Sequence, residues 1–113
     1  MIRAAINGYG RIGRVAHRVI LQWHTEDVEV VAINAGKSTD ITGWMHLLKY
    51  DSVYGLLPFE LSVKPNEDAS KPDLIGHLII SGKEIPVYSQ KDATKLPWRD
   101  LDVDVVIEST GAF

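Results

Sequence analysis

Ile6-Asn7-Gly8-Tyr9-Gly10-Arg11-Ile12-Gly13-Arg14 is the stretch that decides how this chain folds. It follows a short apolar-leaning run, Ile2 to Ile6, and opens a segment of helical period. Three glycines spaced Gly-x-Gly-x-x-Gly at a strand-to-helix junction make a phosphate-binding turn. Gly8 permits the tight turn off the strand, Gly10 lets backbone approach a ligand closely, and Gly13 lets helix pack on strand. The helix start offers free amides and a positive partial charge, with Arg11 and Ile12 as the expected donors to a diphosphate. Glycines also make plain turns, so the weight lies in the flanking elements.

Those elements have the right order. Ile12, Val15, Ala16, Val19, Ile20 and Trp23 recur at helical spacing, which predicts a helix from about Arg11 to Trp23. Val28 to Asn34 is rich in β-branched residues and reads as a second strand, parallel to the first. Ser38, Thr39 or Asp40 can cap a second helix whose stripe is Ile41, Trp44, Met45 and Leu48. Asp51 to Glu84 holds short apolar pieces between turn residues and reads as β-hairpins and loops. Ile85 to Tyr88 is a further strand, placed by Pro86 at an edge or end. Asp92 to Leu96 reads as a helical turn stopped by Pro97, and Val103 to Glu108 as a strong strand. That strand is expected beside the first one, at the switch point where ligands bind. The fold class is α/β: a Rossmann-type parallel sheet with a small antiparallel insertion, incomplete at the C-terminus. The bare edge of Val103–Glu108 invites pairing with another chain.

Composition narrows the function. The chain has 113 residues, 45% hydrophobic, with a net charge of −3. That size suits one domain with its own core, and the charge argues against nucleic-acid or membrane-surface partners. No apolar run approaches the roughly 20 residues of a membrane helix, and Met1-Ile2-Arg3 enters a strand without a signal stretch. A cytoplasmic location is expected. There is no cysteine, which excludes disulfides, thiolate metal sites and a cysteine nucleophile within these residues. His17, His24, His46 and His77 lack metal-ligand spacing; His17 and His24 read as a solvated helix face. Arg11, Arg14, His17, Arg18 and Lys37 bias the cofactor end positive, most of them as surface charges. Trp23, Trp44 and Trp98 read as core or edge packing.

The end of the second strand departs from the NAD pattern. An acidic residue is usual about 20 residues past the glycine turn, where it holds the adenosine ribose. Here the strand ends Ile33-Asn34-Ala35-Gly36-Lys37-Ser38-Thr39, with no carboxylate before Asp40. Ala35 cannot hold two hydroxyls, but it does not repel a 2′-phosphate, to which Lys37, Ser38 and Thr39 can donate. NAD and NADP both remain open, and a solvated loop lysine is the plain alternative for Lys37.

Three segments resemble one family, the amino-terminal NAD-binding domain of phosphorylating glyceraldehyde-3-phosphate dehydrogenase. They are Ile6 to Arg14, Leu47-Leu48-Lys49-Tyr50-Asp51-Ser52-Val53-Tyr54-Gly55, and Val103 to Phe113 with its Ser109-Thr110-Gly111-Ala112-Phe113 ending; Leu96-Pro97-Trp98 also fits. The resemblance covers essentially the whole chain. It implies residues 1–113 as the NAD(P)-binding Rossmann domain of a larger two-domain, homotetrameric, NAD(P)-dependent aldehyde oxidoreductase. That enzyme oxidises glyceraldehyde 3-phosphate to 1,3-bisphosphoglycerate with phosphate. Carried over by position, Asn7, Gly8, Gly10, Arg11, Ile12 and Gly13 form the diphosphate turn. Asn34 and Ala35 meet the adenosine ribose, with Lys37 and Ser38 beside them, and Lys91 stands near the adenine. Ser109, Thr110, Gly111 and Phe113 line the cofactor toward the nicotinamide. The family's catalytic cysteine and histidine have no counterpart here, so no catalytic residue is assigned and the chain alone is expected to be inactive. Ala35, Tyr54 and Leu56 stand where the family commonly has Asp, His and Arg; the Tyr50–Gly55 region contacts a neighbouring subunit in the family. Erythrose-4-phosphate dehydrogenases share these motifs. A stand-alone nucleotide-binding or interaction module is the alternative from another class.

Overall fold

The computed structural model describes residues 1–36, 39–51 and 54–111. In chain order the elements are β1 (Ile2–Asn7), α1 (Arg11–Trp23), β2 (Val28–Asn34), α2 (Ile41–Lys49), β3 (Tyr50–Asp51), β4 (Gly55–Leu56), β5 (Leu61–Pro65), β6 (Leu74–Ile80), β7 (Lys83–Tyr88) and β8 (Val105–Glu108). A 3-10 turn, Ala93–Lys95, is capped by Asp92 and precedes Pro97. Six strands form one sheet in the order β5-β6-β7-β2-β1-β8, and β3-β4 is a separate hairpin. β8, β1, β2 and β7 run parallel, while β5-β6-β7 is an antiparallel meander. The expected antiparallel insertion is thus the far half of the main sheet. β8 pairs with β1 as expected, Ala4 opposite Val105 through Asn7 opposite Glu108.

Burial explains the central strands. Ala4, Ala5 and Ile6 on β1 and Ala32 and Ile33 on β2 are covered on both faces, as a parallel sheet under helices requires. β6 alternates, burying Leu74, Leu78 and Ile80. α1 packs across β1 and β2, and α2 across β5 and β6. α2 starts at Asp40, whose carboxylate accepts from the Gly43 amide at 2.9 Å, a side-chain cap worth about 1 kcal/mol. At the opposite end from the glycine turn, Arg3 ties β1 to the approach to β8. Its amide donates to the Asp104 carboxylate at 2.9 Å and its guanidinium to Leu101 O at 2.9 Å.

Several expectations need correction. β7 is an interior strand, not an edge. Pro86 is tolerated because the ladder to β2 begins only at Val87, so no β2 acceptor is denied an amide at Pro86. β8 begins at Val105 rather than Val103. Most consequential is the rotation of α1. Only part of the apolar stripe faces the sheet: Ile20 packs against the core beside Leu21, whereas Ile12 is 69% exposed and Trp23 74%, with Val19 also exposed. The buried residues are Gly13, His17 and Arg18. Trp23 is therefore no core residue, although Trp44 packs on the core and Trp98 meets Tyr88 edge-on. His17 is no solvated residue and Arg18 no surface charge.

The inward polar groups are partnered through one nitrogen each, His17 Nδ1 and Arg18 Nη2, while His17 Nε2 and Arg18 Nε and Nη1 are buried without a partner among the described residues. The Arg18 guanidinium donates to the carbonyls of Leu48, Lys49 and Gly55, at 2.6, 2.9 and 2.9 Å, and so holds the β3-β4 hairpin to α1. Tyr9 and His17 are both fully buried, with hydroxyl and Nδ1 2.6 Å apart. Burial pushes the Tyr9 hydroxyl up and pulls the His17 imidazole down to about 3. The phenol therefore keeps its proton and the imidazole stays neutral, and the two share one hydrogen bond. Native His17 stays neutral where an unfolded-chain histidine, ordinary value 6.5, takes a proton. Stability is lost as pH falls from about 6.5 toward about 3, with a slope near 1.4 kcal/mol per pH unit from this group. Urea unfolding at pH 7 and pH 5 should show a loss of about 2 kcal/mol that His17→Gln largely removes. An equal pH loss in the variant would contradict the assignment.

Candidate dinucleotide site

The C-terminal ends of β1, β2 and β8 meet at the N-terminus of α1. The chain leaves β1 at Asn7 and turns at Gly8, whose φ of 99° suits glycine. The Gly8 amide donates to Asn34 O at 2.9 Å, which fixes the turn against β2. A Cβ on Gly8 would lie 2.6 Å from Thr110 N, and one on Gly13 only 2.1 Å from Gly8 O. Gly8 and Gly13 are thus closed by the protein's own backbone. Gly10 is different: a Cβ there would meet nothing within 4 Å. Gly10 is also the N-cap of α1, without a side-chain cap bond and without an acidic residue in the first turn. The first amides of a helix have no acceptor inside it, so the tip at Arg11 and Ile12 is left for an anion. The arrangement fits a diphosphate: uncapped amides, no opposing carboxylate in that turn, and bare space over the middle glycine. Arg14 braces the turn by donating to Tyr9 O at 3.0 Å.

A row of side chains crosses the strand ends. Glu108 accepts from the Asn7 amide group at 2.8 Å, and Asn7 Oδ1 accepts from Asn34 at 2.8 Å. Asn34 in turn donates to Gln90 O at 2.7 Å and accepts from Gln90 N at 2.9 Å. Glu108 also accepts from the Thr110 amide at 3.1 Å and hydroxyl at 2.6 Å. Burial pushes the Glu108 carboxyl up, but the bonds from Thr110 and Asn7 outweigh it and hold the group below its ordinary value. The Ser109 hydroxyl donates to Gly8 O at 2.6 Å, closing the turn from the β8 side.

The structure therefore brings together Asn7, Gly8, Gly10, Gly13, Asn34, Ser109 and Thr110. Arg11 and Ile12 are exposed at the helix tip, and Gly111 is exposed after Thr110. Ala35 is buried at the end of β2, its amide donating to Tyr88 O at 2.7 Å. Lys91 is exposed on the loop after β7, next to Gln90. Lys37, Ser38 and Phe113 lie outside the described residues. Sequence reasoning missed Glu108 and Gln90. A carboxylate closing an apolar strand was the visible signal for Glu108; Gln90 acts through its main chain, which no side-chain pattern marks.

The profile of the family "Glyceraldehyde 3-phosphate dehydrogenase, NAD binding domain" matches residues 2–113. The chain belongs to this family. It resembles the glyceraldehyde-3-phosphate dehydrogenase of Thermotoga maritima, 49% identical over 113 residues, which are all of this chain and 30% of the relative. The Clostridium acetobutylicum protein of that name is 45% identical over 113 residues, again all of this chain and 30% of the relative. The Geobacillus stearothermophilus one is 44% identical over 112 residues, 99% of this chain and 29% of the relative. The chain thus spans under a third of the length of these relatives. As a member of a glyceraldehyde-3-phosphate dehydrogenase NAD-binding family, its cofactor is NAD or NADP. Among the described residues, no helix is long and apolar enough to cross a membrane.

Proposed function

We propose that this chain is the cofactor-binding part of a longer cytoplasmic, phosphorylating glyceraldehyde-3-phosphate dehydrogenase, which oxidises glyceraldehyde 3-phosphate to 1,3-bisphosphoglycerate. The observation that carries this reading is the uncapped tip of α1 beneath a Gly10 with open space above it, in a chain matched by the family from residue 2 to 113. When bound, the nicotinamide cofactor supplies the hydride acceptor. The residues of this chain bind and orient it. The amides of Arg11 and Ile12 hold the diphosphate. Asn34 and Ala35, with Lys37, Ser38 and Lys91, set the adenosine side, and Ser109, Thr110, Gly111 and Phe113 direct the other half toward the nicotinamide side. With no cysteine in the sequence, the attacking thiolate comes from outside these residues. The outward apolar residues of α1, Ile12, Val19 and Trp23, support a further part of the protein lying over them. The open edge of β8, where Val105 and Val106 are exposed, supports self-association. Absence of a carboxylate at Ala35 supports use of NADP as well as NAD.

Titration calorimetry of the 113-residue chain with each cofactor tests the proposal. Binding in the millimolar range, no dehydrogenase turnover, and a sedimenting mass that grows with concentration are expected. No heat with either cofactor, or a constant monomer mass, would count against the binding or the association respectively.

A further inference from the structure

Glu108 is absent from the set of cofactor-contacting positions, yet it joins two features that contact depends on. One carboxylate oxygen takes the Asn7 amide group at 2.8 Å; the other takes both the Thr110 amide at 3.1 Å and its hydroxyl at 2.6 Å. The row beyond Asn7 has a fixed polarity. Gln90 presents a main-chain N–H and a main-chain carbonyl to Asn34, 2.9 and 2.7 Å away, and neither can exchange roles. Asn34 must therefore turn its oxygen to the Gln90 amide and its NH2 to the Gln90 carbonyl. The second hydrogen of that NH2 goes to Asn7 Oδ1 at 2.8 Å. Asn7 is then left with an NH2 that needs an acceptor, and position 108 supplies it. Because a carboxylate only accepts, it satisfies Asn7 and Thr110 together, which no neutral side chain of the same shape does.

The row spans the C-terminal ends of β8, β1, β2 and β7, which are neighbours in that order. It thereby sets the Asn7–Gly8 exit from β1 against the Ser109–Thr110 exit from β8. A Cβ on Gly8 would sit 2.6 Å from Thr110 N, so little slack separates the two loops.

We propose that Glu108 is a positioning residue for the dinucleotide site: its carboxylate locks the amide row and the Thr110 turn and so presets the two loops that flank the helix tip. This rests on the proposed function and deepens it. Glu108→Gln keeps the shape but turns one oxygen into a donor. With the row's polarity fixed from Gln90, the oxygen of the introduced amide takes Asn7 and its NH2 faces the Thr110 amide, donor against donor. Glu108→Ala removes both acceptors.

The test is amide NMR of the full chain titrated with NAD, for the parent, Glu108→Gln and Glu108→Ala. In Glu108→Gln the Thr110 amide should shift and exchange at least several-fold faster while the Asn7 side-chain NH2 signals hold. In Glu108→Ala both should move. The NAD dissociation constant should rise roughly fivefold in the first and tenfold or more in the second, as loss of charge-assisted bonds implies, with the rest of the spectrum unchanged. If the parent shows no NAD response, the proposed function fails and this role falls with it. If the parent binds, and the variants bind equally well while Thr110 and Asn7 signals move, the bonds are merely structural and the positioning role alone is refuted. Unmoved Thr110 and Asn7 signals refute the row itself.

Discussion

Gly13→Ala should unfold this chain at markedly lower temperature and abolish dinucleotide binding, whereas Gly10→Ala should abolish binding and leave the fold nearly intact. The contrast follows from what each new methyl would meet. At Gly13 it lies 2.1 Å from Gly8 O, 2.9 Å from the Ser109 hydroxyl and 3.1 Å from Ile6 Cγ2. The nearest atom is main chain, so the helix and the turn must part. Overpacking of this kind costs about 1–3 kcal/mol. For a chain of this size that lowers the melting temperature by roughly 5–15 °C. The same shift opens the gap between helix tip and turn that the diphosphate would bridge. At Gly10 the methyl enters empty space, so the cost to stability stays within about 1 kcal/mol. It fills the space through which a ligand reaches the amides. Thermal unfolding and NAD titration of both variants separate the two roles. A Gly13→Ala chain as stable as the parent would mean that helix and turn are packed differently, and a Gly10→Ala chain that binds normally would place the ligand elsewhere.

Ala35→Asp should change the choice of cofactor by a factor of about ten or more in favour of NAD. Ala35 closes β2 beside Asn34, with its amide held by Tyr88 O at 2.7 Å. The backbone there is fixed, so the new carboxylate projects from a defined point. It accepts from ribose hydroxyls, which strengthens NAD. It also opposes a 2′-phosphate, and like charges brought together cost several kcal/mol (about 1.4 kcal/mol is tenfold). Dissociation constants for the two cofactors, parent against variant, measure the ratio. A ratio that does not move would mean the adenosine ribose lies away from the end of β2.

How much of this was legible beforehand differs by level. α1 and β2 were placed to the residue, because a glycine turn, a helical period and a β-branched run mark their own limits. The β8–β1 pairing followed from the strand order of a doubly wound sheet. The rotation of α1 was not legible. Periodicity assumes that the apolar stripe faces inward, but here the contact of Gly13 with the turn sets the helix angle and carries His17 and Arg18 inside. His17 Nδ1 meets the Tyr9 hydroxyl, and Arg18 Nη2 reaches the carbonyls of Leu48 and Lys49 at the end of α2 and of Gly55 on β4, while His17 Nε2 and Arg18 Nε and Nη1 stay buried without a hydrogen-bond partner among the described residues. Pro86 misled for a related reason. Its rule concerns a missing hydrogen bond, and β7 leaves β2 unpaired at that point. In the site, positions named by the glycine motif and the Ser-Thr-Gly ending came together at one helix tip. The amide row did not stand out, since it joins residues from three strand ends and a main-chain group of a fourth.

On the proposed function, the uncapped start of α1 receives the cofactor's diphosphate, and a crystal structure of the chain grown with NAD decides whether it does. Diphosphate oxygens should lie within hydrogen-bond distance of the Arg11 and Ile12 amides, above Gly10 and between the Gly8 and Ser109–Thr110 loops. Clear density for the dinucleotide with its diphosphate away from that helix tip would contradict this.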